Sequence, residues 1–334
     1  MSSIDSDDTG AKTFGRPFLS RRKEGWAKPG RRHGDHPQSS TPLDRRGGTM
    51  RRWLLRFGYS GLSFGGWARQ PGIRTVEGVL LSALRRRGIG STPAETHLEV
   101  ASRTDRGVSA RGNALILSTP IDGDSLLKRL NSISPEIFFT AASEVTSDFR
   151  VRNASRRVYR YHDPGETSDE GHWRQAAGRF HGEVDVRSFG RGIAPQSPPR
   201  RRIESVTVSF VPGGRVIEVC APSFVWGMVR KIVGALHEVT AGRLSIEQLD
   251  SAISGEERLT LPLAPAEGLV LWSVEYPRLT WEVEWRGPNR RQSLFSRALH
   301  EGAWRTSVVS DAVFAPFGRG AVGTAAAPSP KSRT

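Results

Sequence analysis

The chain is poor in the residues that staple or ligate. It has a single cysteine, Cys220, which excludes an intramolecular disulfide and a cysteine-based zinc cluster and points to a reducing compartment. His33 and His36 lie close in sequence with no further ligands around them, so no metal site follows. No apolar run is long enough to cross a bilayer, and the first residues are polar rather than a signal peptide. The expectation is a cytoplasmic protein with no membrane association. Lysine is scarce as well: arginine outnumbers it 43 to 6, a bias that GC-rich coding produces as readily as selection for forked phosphate contacts.

What is present suffices for a folded body. With 334 residues, 37% of them hydrophobic and 8% aromatic, the chain can bury a substantial core in one or two domains. The net charge of +15 is unevenly spread: residues 1–49 and 278–334 together carry +9, leaving +6 for 50–277. A basic tail by itself says only that polyanions attract it. Residues 1–49 are glycine, proline, serine and charge without periodicity and are expected to be disordered, with Met50 an alternative start. Residues 278–334 read as a basic, partly disordered extension whose Trp281, Trp285 and Trp304 suggest partial docking on the body. Gly318-x-Gly320-x-x-Gly323 matches a dinucleotide-binding pattern, but no strand precedes it, so it is read as chance and no nucleotide cofactor is expected.

Between the tails, periodicity suggests two similar halves, 50–150 and 151–277. In the first, Arg51 to Gly58 alternates as a strand, and Thr75 caps a helix to about Arg87 with Val76, Val79, Leu80, Ala83 and Leu84 on one face. His97 to Ala101 and Ala114 to Leu117 read as strands, Asp124 to Ser132 as a helix and Ile137 to Val145 as a strand. That order is the split βαβ of a ferredoxin-like or RNA-recognition-type half. In the second half, Ile203 to Phe210 and Val216 to Ala221 form a hairpin across Pro212-Gly213-Gly214. Ser223 is the expected cap of a helix that places Phe224, Met228, Ile232, Ala235 and Val239 on one side. Ser245 and Gln248 make a capping box for another helix, and Val270 to Tyr276 is the last strand. Arg200, Arg201 and Arg202 close a proline-rich loop, as phosphate clamps or as a solvated charge run.

One loop carries candidate chemistry. In Ser102-Arg103-Thr104-Asp105-Arg106-Gly107-Val108-Ser109-Ala110-Arg111-Gly112-Asn113 a lone carboxylate stands between two arginines, with Gly107 and Gly112 expected to let the chain turn. Neighbouring positive charge favours a carboxylate, which suits a nucleophile or a base. An ordinary Arg103–Asp105 surface pair in a turn is the alternative. Further on, Tyr159 and Tyr161 share one face of a strand with Arg160 opposite, either as half-buried packing or as a platform for a base flipped from RNA. Arg230 sits in an otherwise apolar helix and needs a partner there, unless it snorkels to solvent.

These stretches resemble, in collinear order from Arg51 to Pro277, the tRNA pseudouridine synthases of the TruA family. The resemblance rests on Arg103-Thr104-Asp105 followed by Gly107-Val108, on Gly66-Trp67-x-x-Gln70, and on Arg157-x-Tyr159-x-Tyr161. It is completed by Phe224-x-x-x-Met228-Val229-Arg230-x-Ile232-Val233-Gly234 and Ala264-x-Ala266-Glu267-Gly268-Leu269. Ser60 replaces the family's usual Asp, and Ser102, Arg106 and Ser109 stand where bacterial members usually carry Gly, Ala and His; Arg106 and Ser109 resemble the archaeal and eukaryotic branches instead. The region from Asp163 to Arg174 is shorter than in bacterial members, and His181 to Asp185 with Ser188-Phe189 resembles the helix and following turn that lead to the second half.

The resemblance implies an α+β fold of two ferredoxin-like (RRM-like) halves whose sheets join side by side around an RNA-binding cleft. It implies isomerisation of uridine to pseudouridine in the tRNA anticodon stem-loop, positions 38 to 40, by a homodimer without cofactor. Asp105 would be the catalytic residue, Arg230 its ion-pair partner, and Tyr159 the ring that stacks on uracil and assists proton removal. Arg103 and Arg106 would touch the RNA backbone and Leu269 would lie under the base. A synthase acting on another RNA, or a non-catalytic tRNA-binding protein, are the alternatives.

Overall fold

A computed structural model of the chain describes residues 49–89, 96–134, 136–165, 169–193, 199–211 and 213–287. The expectations for residues 1–48, Pro212, Trp304 and Gly318 to Gly323 fall outside the described residues.

The first half is built as strand, helix, strand, strand, helix, strand. β1 (Arg51–Tyr59) is buried on both faces over most of its length, and α1 (Val76–Arg86) follows, with the Thr75 side chain accepting from Gly78 N. Such a cap is worth about 1 kcal/mol. β2 (Glu99–Val100) is two residues long, β3 (Ser109–Thr119) is buried throughout, and α2 (Gly123–Asn131) and β4 (Ile137–Glu144) close the unit. The second half repeats the plan with β5 (Arg156–Pro164), α3 (Glu170–Gly178), β8 (Ser205–Val211), β9 (Gly214–Ala221), α5 (Met228–Thr240) and β10 (Leu269–Glu275). Between α3 and β8 it inserts β6 (Gly182–Asp185), α4 (Val186–Phe189) and β7 (Arg200–Ile203), and after α5 it adds α6 (Ile246–Ser254), opened by the capping box of Ser245 and Gln248.

The strands of each half stand in the order fourth, first, third, second, the ferredoxin-like arrangement: β4-β1-β3-β2 and β10-β5-β9-β8. A short parallel pairing, Val270 and Leu271 of β10 against Ser109 and Ala110 of β3, joins them into one sheet. β2 occupies the other end of the same β3 edge, opposite Leu115 and Ile116. The loop between β2 and β3 therefore emerges where that edge passes from one neighbour to the other. Beyond Pro277 the chain crosses back to the first half, where β11 (Val283–Glu284) pairs with Ala141 and Ala142 of β4. Arg56 holds this return, paired with Glu284 at 3.5 Å and lying over the Trp281 ring at 5.1 Å.

Several local expectations are corrected. Residues 170–178, which begin in the stretch Asp163 to Arg174 and run past it, form a helix that the sequence reading does not place, α3; Asp169 caps it, and Trp173, Ala176 and Ala177 pay for its ordering by burial. His181 to Asp185 leads into a strand, not a helix, because Gly182 to Asp185 pair with Arg200 to Ile203. Arg200 to Arg202 are thereby a strand rather than a loop clamp, and the Arg200 guanidinium donates to Ser254 O. Gly112 lies within β3 and not in the loop; a Cβ there would come within 2.7 Å of Trp272 O, so its bareness serves the close approach of β10.

Helix α5 is pressed against the segment before β10 in the same way. A Cβ on Gly234 would lie 2.2 Å from Pro262 O, a backbone atom that cannot swing aside. The ordinary gain of about 1 kcal/mol for Gly→Ala in a helix is outweighed there by an overpacking cost of about 1–3 kcal/mol. Gly234→Ala is expected to lower the thermal midpoint by several degrees. Gly178→Ala, at the open end of α3 with no atom within 4 Å, is expected to leave it unchanged or raise it. Thermal melts of the two variants against the unsubstituted chain check both signs.

Candidate active site

The loop from Ala101 to Val108 is fixed from both halves. On the first-half side, Tyr59 and Thr104 share a hydroxyl–hydroxyl bond of 2.7 Å, Trp67 N donates to Thr104 O, and Asn113 Nδ2 donates to Ser102 O at 2.8 Å. From the second half, Arg157 on β5 sends Nε to Ser102 Oγ at 3.0 Å and Nη2 to Ala101 O at 3.2 Å and Arg152 O at 2.9 Å, while Nη1 donates to Pro222 O. Burial pulls its pKa down, opposed by the Tyr159 and Tyr276 phenols. A buried cation is tolerated there because its donors are satisfied.

At the tip, Asp105 is met by two donors. Arg230 Nη1 lies 3.3 Å from Oδ2 and Trp226 Nε1 lies 2.8 Å from Oδ1. Arg230 is braced from behind, its Nε donating to Ala264 O at 2.7 Å while Ala264 N donates to Arg230 O. Neither Arg103 nor Arg106 pairs with Asp105 among the described residues; both are exposed.

The helix start explains the second donor. The chain from Ser223 to Gly227 is not the first turn of a helix capped by Ser223, as the apolar spacing suggested. It is an irregular turn, with Gly227 left-handed (φ 76°) as the N-cap of α5 and Met228 N bonded to Val225 O. The turn aims Trp226 at the loop, the residue 56% exposed, with the Arg191 guanidinium 4.7 Å from the ring centre.

These groups line a cavity of about 890 Å³. All six residues singled out in the sequence border it: Asp105, Tyr159, Arg230, Arg103, Arg106 and Leu269. Six arginines and a single carboxylate face it, a balance that suits a polyanion. Leu269 is buried at the start of β10. Tyr159 is buried with its ring edge-on to Phe224 at 5.2 Å. Burial pushes its phenol up to about 12, against the pull of Arg157 and a Ser102 hydrogen bond. At neutral pH Tyr159 is a neutral phenol, placed to stack or to donate a hydrogen bond. On the opposite face of β5, Arg160 pairs with Glu218 at 2.7 Å and lies 3.9 Å from the Trp272 ring.

Sequence reasoning gave no role to Arg157 or Trp226. Arg157 was within reach, since strand alternation places it on the same face as Tyr159. Trp226 was not, because a helical reading of 223–227 aims it elsewhere.

Comparisons with known proteins identify the family. Residues 176–277 match the family model described as tRNA pseudouridine synthase. The chain is 39% identical over 256 residues to the tRNA pseudouridine synthase A of Thermococcus kodakarensis, covering 75% of this chain and 95% of that protein. Proteins of the same name from Thermococcus gammatolerans (36% identity, 75% and 95% coverage) and Pyrococcus furiosus (35% identity, 70% and 86%) are similar. A chain of a solved Cbf5-Nop10-Gar1 complex aligns at a TM-score of 0.29 and 12% identity over 59% of this chain and 50% of that one, a likeness that carries no weight.

The chain has four tyrosines, and burial raises the pKa of every one: Tyr59, Tyr159, Tyr161 and Tyr276. An acid whose folded pKa lies above its unfolded value of 10.0 contributes stability that is intact below pH 10 and lost as pH rises towards the folded pKa. Tyrosinate ultraviolet absorbance at pH 11 is expected to stay near zero in the folded protein and to appear only on unfolding, with the denaturation midpoint falling from pH 10 upward. Phenolate absorbance in the native protein near pH 10 would contradict the burial of these rings.

Proposed function

The chain belongs to the tRNA pseudouridine synthase family of isomerases, and from that premise we propose that it converts uridine to pseudouridine in the anticodon stem-loop of tRNA, at positions 38 to 40. The observation that carries the reading is a single carboxylate, Asp105, gripped by Arg230 inside a cavity lined by six arginines.

In the proposed reaction the phosphates of the RNA backbone are drawn by the arginine rim, with Arg103 and Arg106 on the loop itself. The target uridine leaves the stack and enters the cavity, its uracil against Tyr159 with Leu269 below. Asp105 acts on the nucleotide as nucleophile, through a bond that is broken again before the product leaves, or as base, with its proton given back; the N1–C1′ bond breaks with its electron pair staying on uracil. The freed ring turns until C5 faces C1′, and the C5–C1′ bond forms. The C5 proton is lost and N1 gains one, so the product is an isomer and the balance calls for no cofactor. Arg230 keeps Asp105 in place against the desolvation that a loaded cavity imposes. Leu269 and Tyr159 supply apolar walls that hold the uracil while it turns. The homodimer and the cytoplasmic location belong to the same proposal; light scattering that returns the mass of one chain would remove the dimer from it.

The test is pseudouridine formation in an unmodified tRNA transcript, with the modified nucleotides mapped. The unsubstituted chain is expected to modify the anticodon stem-loop. Asp105→Asn, which keeps the shape of the side chain and removes its charge, is expected to bind the transcript and lose activity by roughly three orders of magnitude or more. Modification elsewhere in the tRNA would overturn the position. Substantial turnover by Asp105→Asn would overturn the site, and binding without product from either form would leave an RNA-binding protein.

A further inference from the structure

Both oxygens of Asp105 are occupied, and the two donors are held very differently. Arg230 is 15% exposed, projects from a regular helix and is braced by Ala264 O. Trp226 is 56% exposed, stands on an irregular turn ending at the left-handed Gly227, and has over its ring only the guanidinium of Arg191, itself exposed, among the ring contacts of the described residues. Oδ2 is thus engaged by the half-buried arginine and Oδ1 by the exposed ring at the cavity lining. An indole N–H donates and does nothing else: it neither accepts nor exchanges a proton at working pH. Its bond of 2.8 Å to Oδ1 either steadies the carboxylate through the reaction or fills a place that something else must take.

The geometry favours the second. We propose that Trp226 is a displaceable stand-in for the substrate nucleotide: its indole N–H holds Oδ1 of Asp105 in the free protein and gives that oxygen up when the target uridine enters. This rests on Asp105 being the residue that reacts with the nucleotide. A nucleotide needs an Asp105 oxygen directed into the cavity; with Oδ2 committed to a braced cation, Oδ1 is the one to be freed. The exposed ring can leave with little repacking, and its release is a tax on RNA affinity. The trade keeps the carboxylate hydrogen-bonded when no RNA is present.

Trp226→Phe separates the two roles, since it keeps an aromatic ring on the turn and deletes the N–H. For a stand-in, the variant binds unmodified tRNA transcript about three- to tenfold more tightly and shows a correspondingly lower KM, with kcat within about twofold of the unsubstituted chain. Trp226→Leu is expected to lower KM in the same direction, which guards against an effect peculiar to phenylalanine. A kcat loss of about tenfold or more at unchanged KM would overturn the proposal in favour of a positioning residue that holds Asp105 throughout. Unchanged Kd, KM and kcat in both variants would overturn it as well, showing the contact to be idle. If the unsubstituted chain makes no pseudouridine in any tRNA, the functional reading falls first, and that is seen before any variant is compared.

Discussion

Two residue pairs of main chain hold the site together. Val270 and Leu271 lie beside Ser109 and Ala110 in the parallel pairing that fuses two ferredoxin-like sheets. Without it each half would end in an edge strand, and edges seek partners. With it, the loop that leaves β2 and enters β3 is stationed at the seam, and α5 of the other half reaches it. Arg230 and Asp105, separated by 125 residues, become neighbours through this constraint. The bare backbones of Gly112 and Gly234 serve the same end, since each lets main chain approach main chain at a distance that a methyl group would forbid.

The seam is also where the chain accepts buried charge. Arg157 is 6% exposed yet donates to acceptors on both sides of it. A guanidinium suits this position because its donors are rigid and fork outward, whereas a lysine ammonium would leave part of the set unmet. The result is a loop whose backbone is tied down while its tip, held by Arg230 and Trp226, faces the cavity. For the proposed reaction, fixed support limits reorganisation, and a tip at the cavity can meet a large substrate.

The charge of the chain acquires meaning only at this level. A surplus of arginine spread along a sequence is ambiguous between genome composition, solubility and function. Six of them around one carboxylate in a cavity of about 890 Å³ form a field with a place for an anion. Others have local duties: Arg160 and Arg111 lie over the faces of Trp272, and Arg56 secures the returning segment at Trp281 and Glu284. Counting arginines would not have separated the two groups.

Much of the fold was legible because the information was local. The alternation of β1, the Thr75 cap, the Ser245–Gln248 box and the repeated strand and helix order all depend on residues a few positions apart. So did the identity of Asp105, Tyr159, Arg230 and Leu269 as candidates, through motifs of short span. Where local signals were weak or misleading, the reading failed. The helix Glu170–Gly178 carries only Trp173, Ala176 and Ala177 as its buried stripe, too thin a pattern to stand out, and the apolar spacing of Ser223 to Met228 mimicked a helical turn that Gly227 prevents. Burial was equally invisible: that the Tyr159 phenol is pushed up to about 12 follows from the low-dielectric surroundings it acquires on folding. By itself, then, the sequence determined which elements form and which side chains are capable of the chemistry, because propensity and periodicity act over a few residues. Only the tertiary structure decided that Arg230 and Trp226, rather than Arg103 and Arg106, hold Asp105, because that pairing depends on how two separate sheets meet and no short-range pattern encodes it.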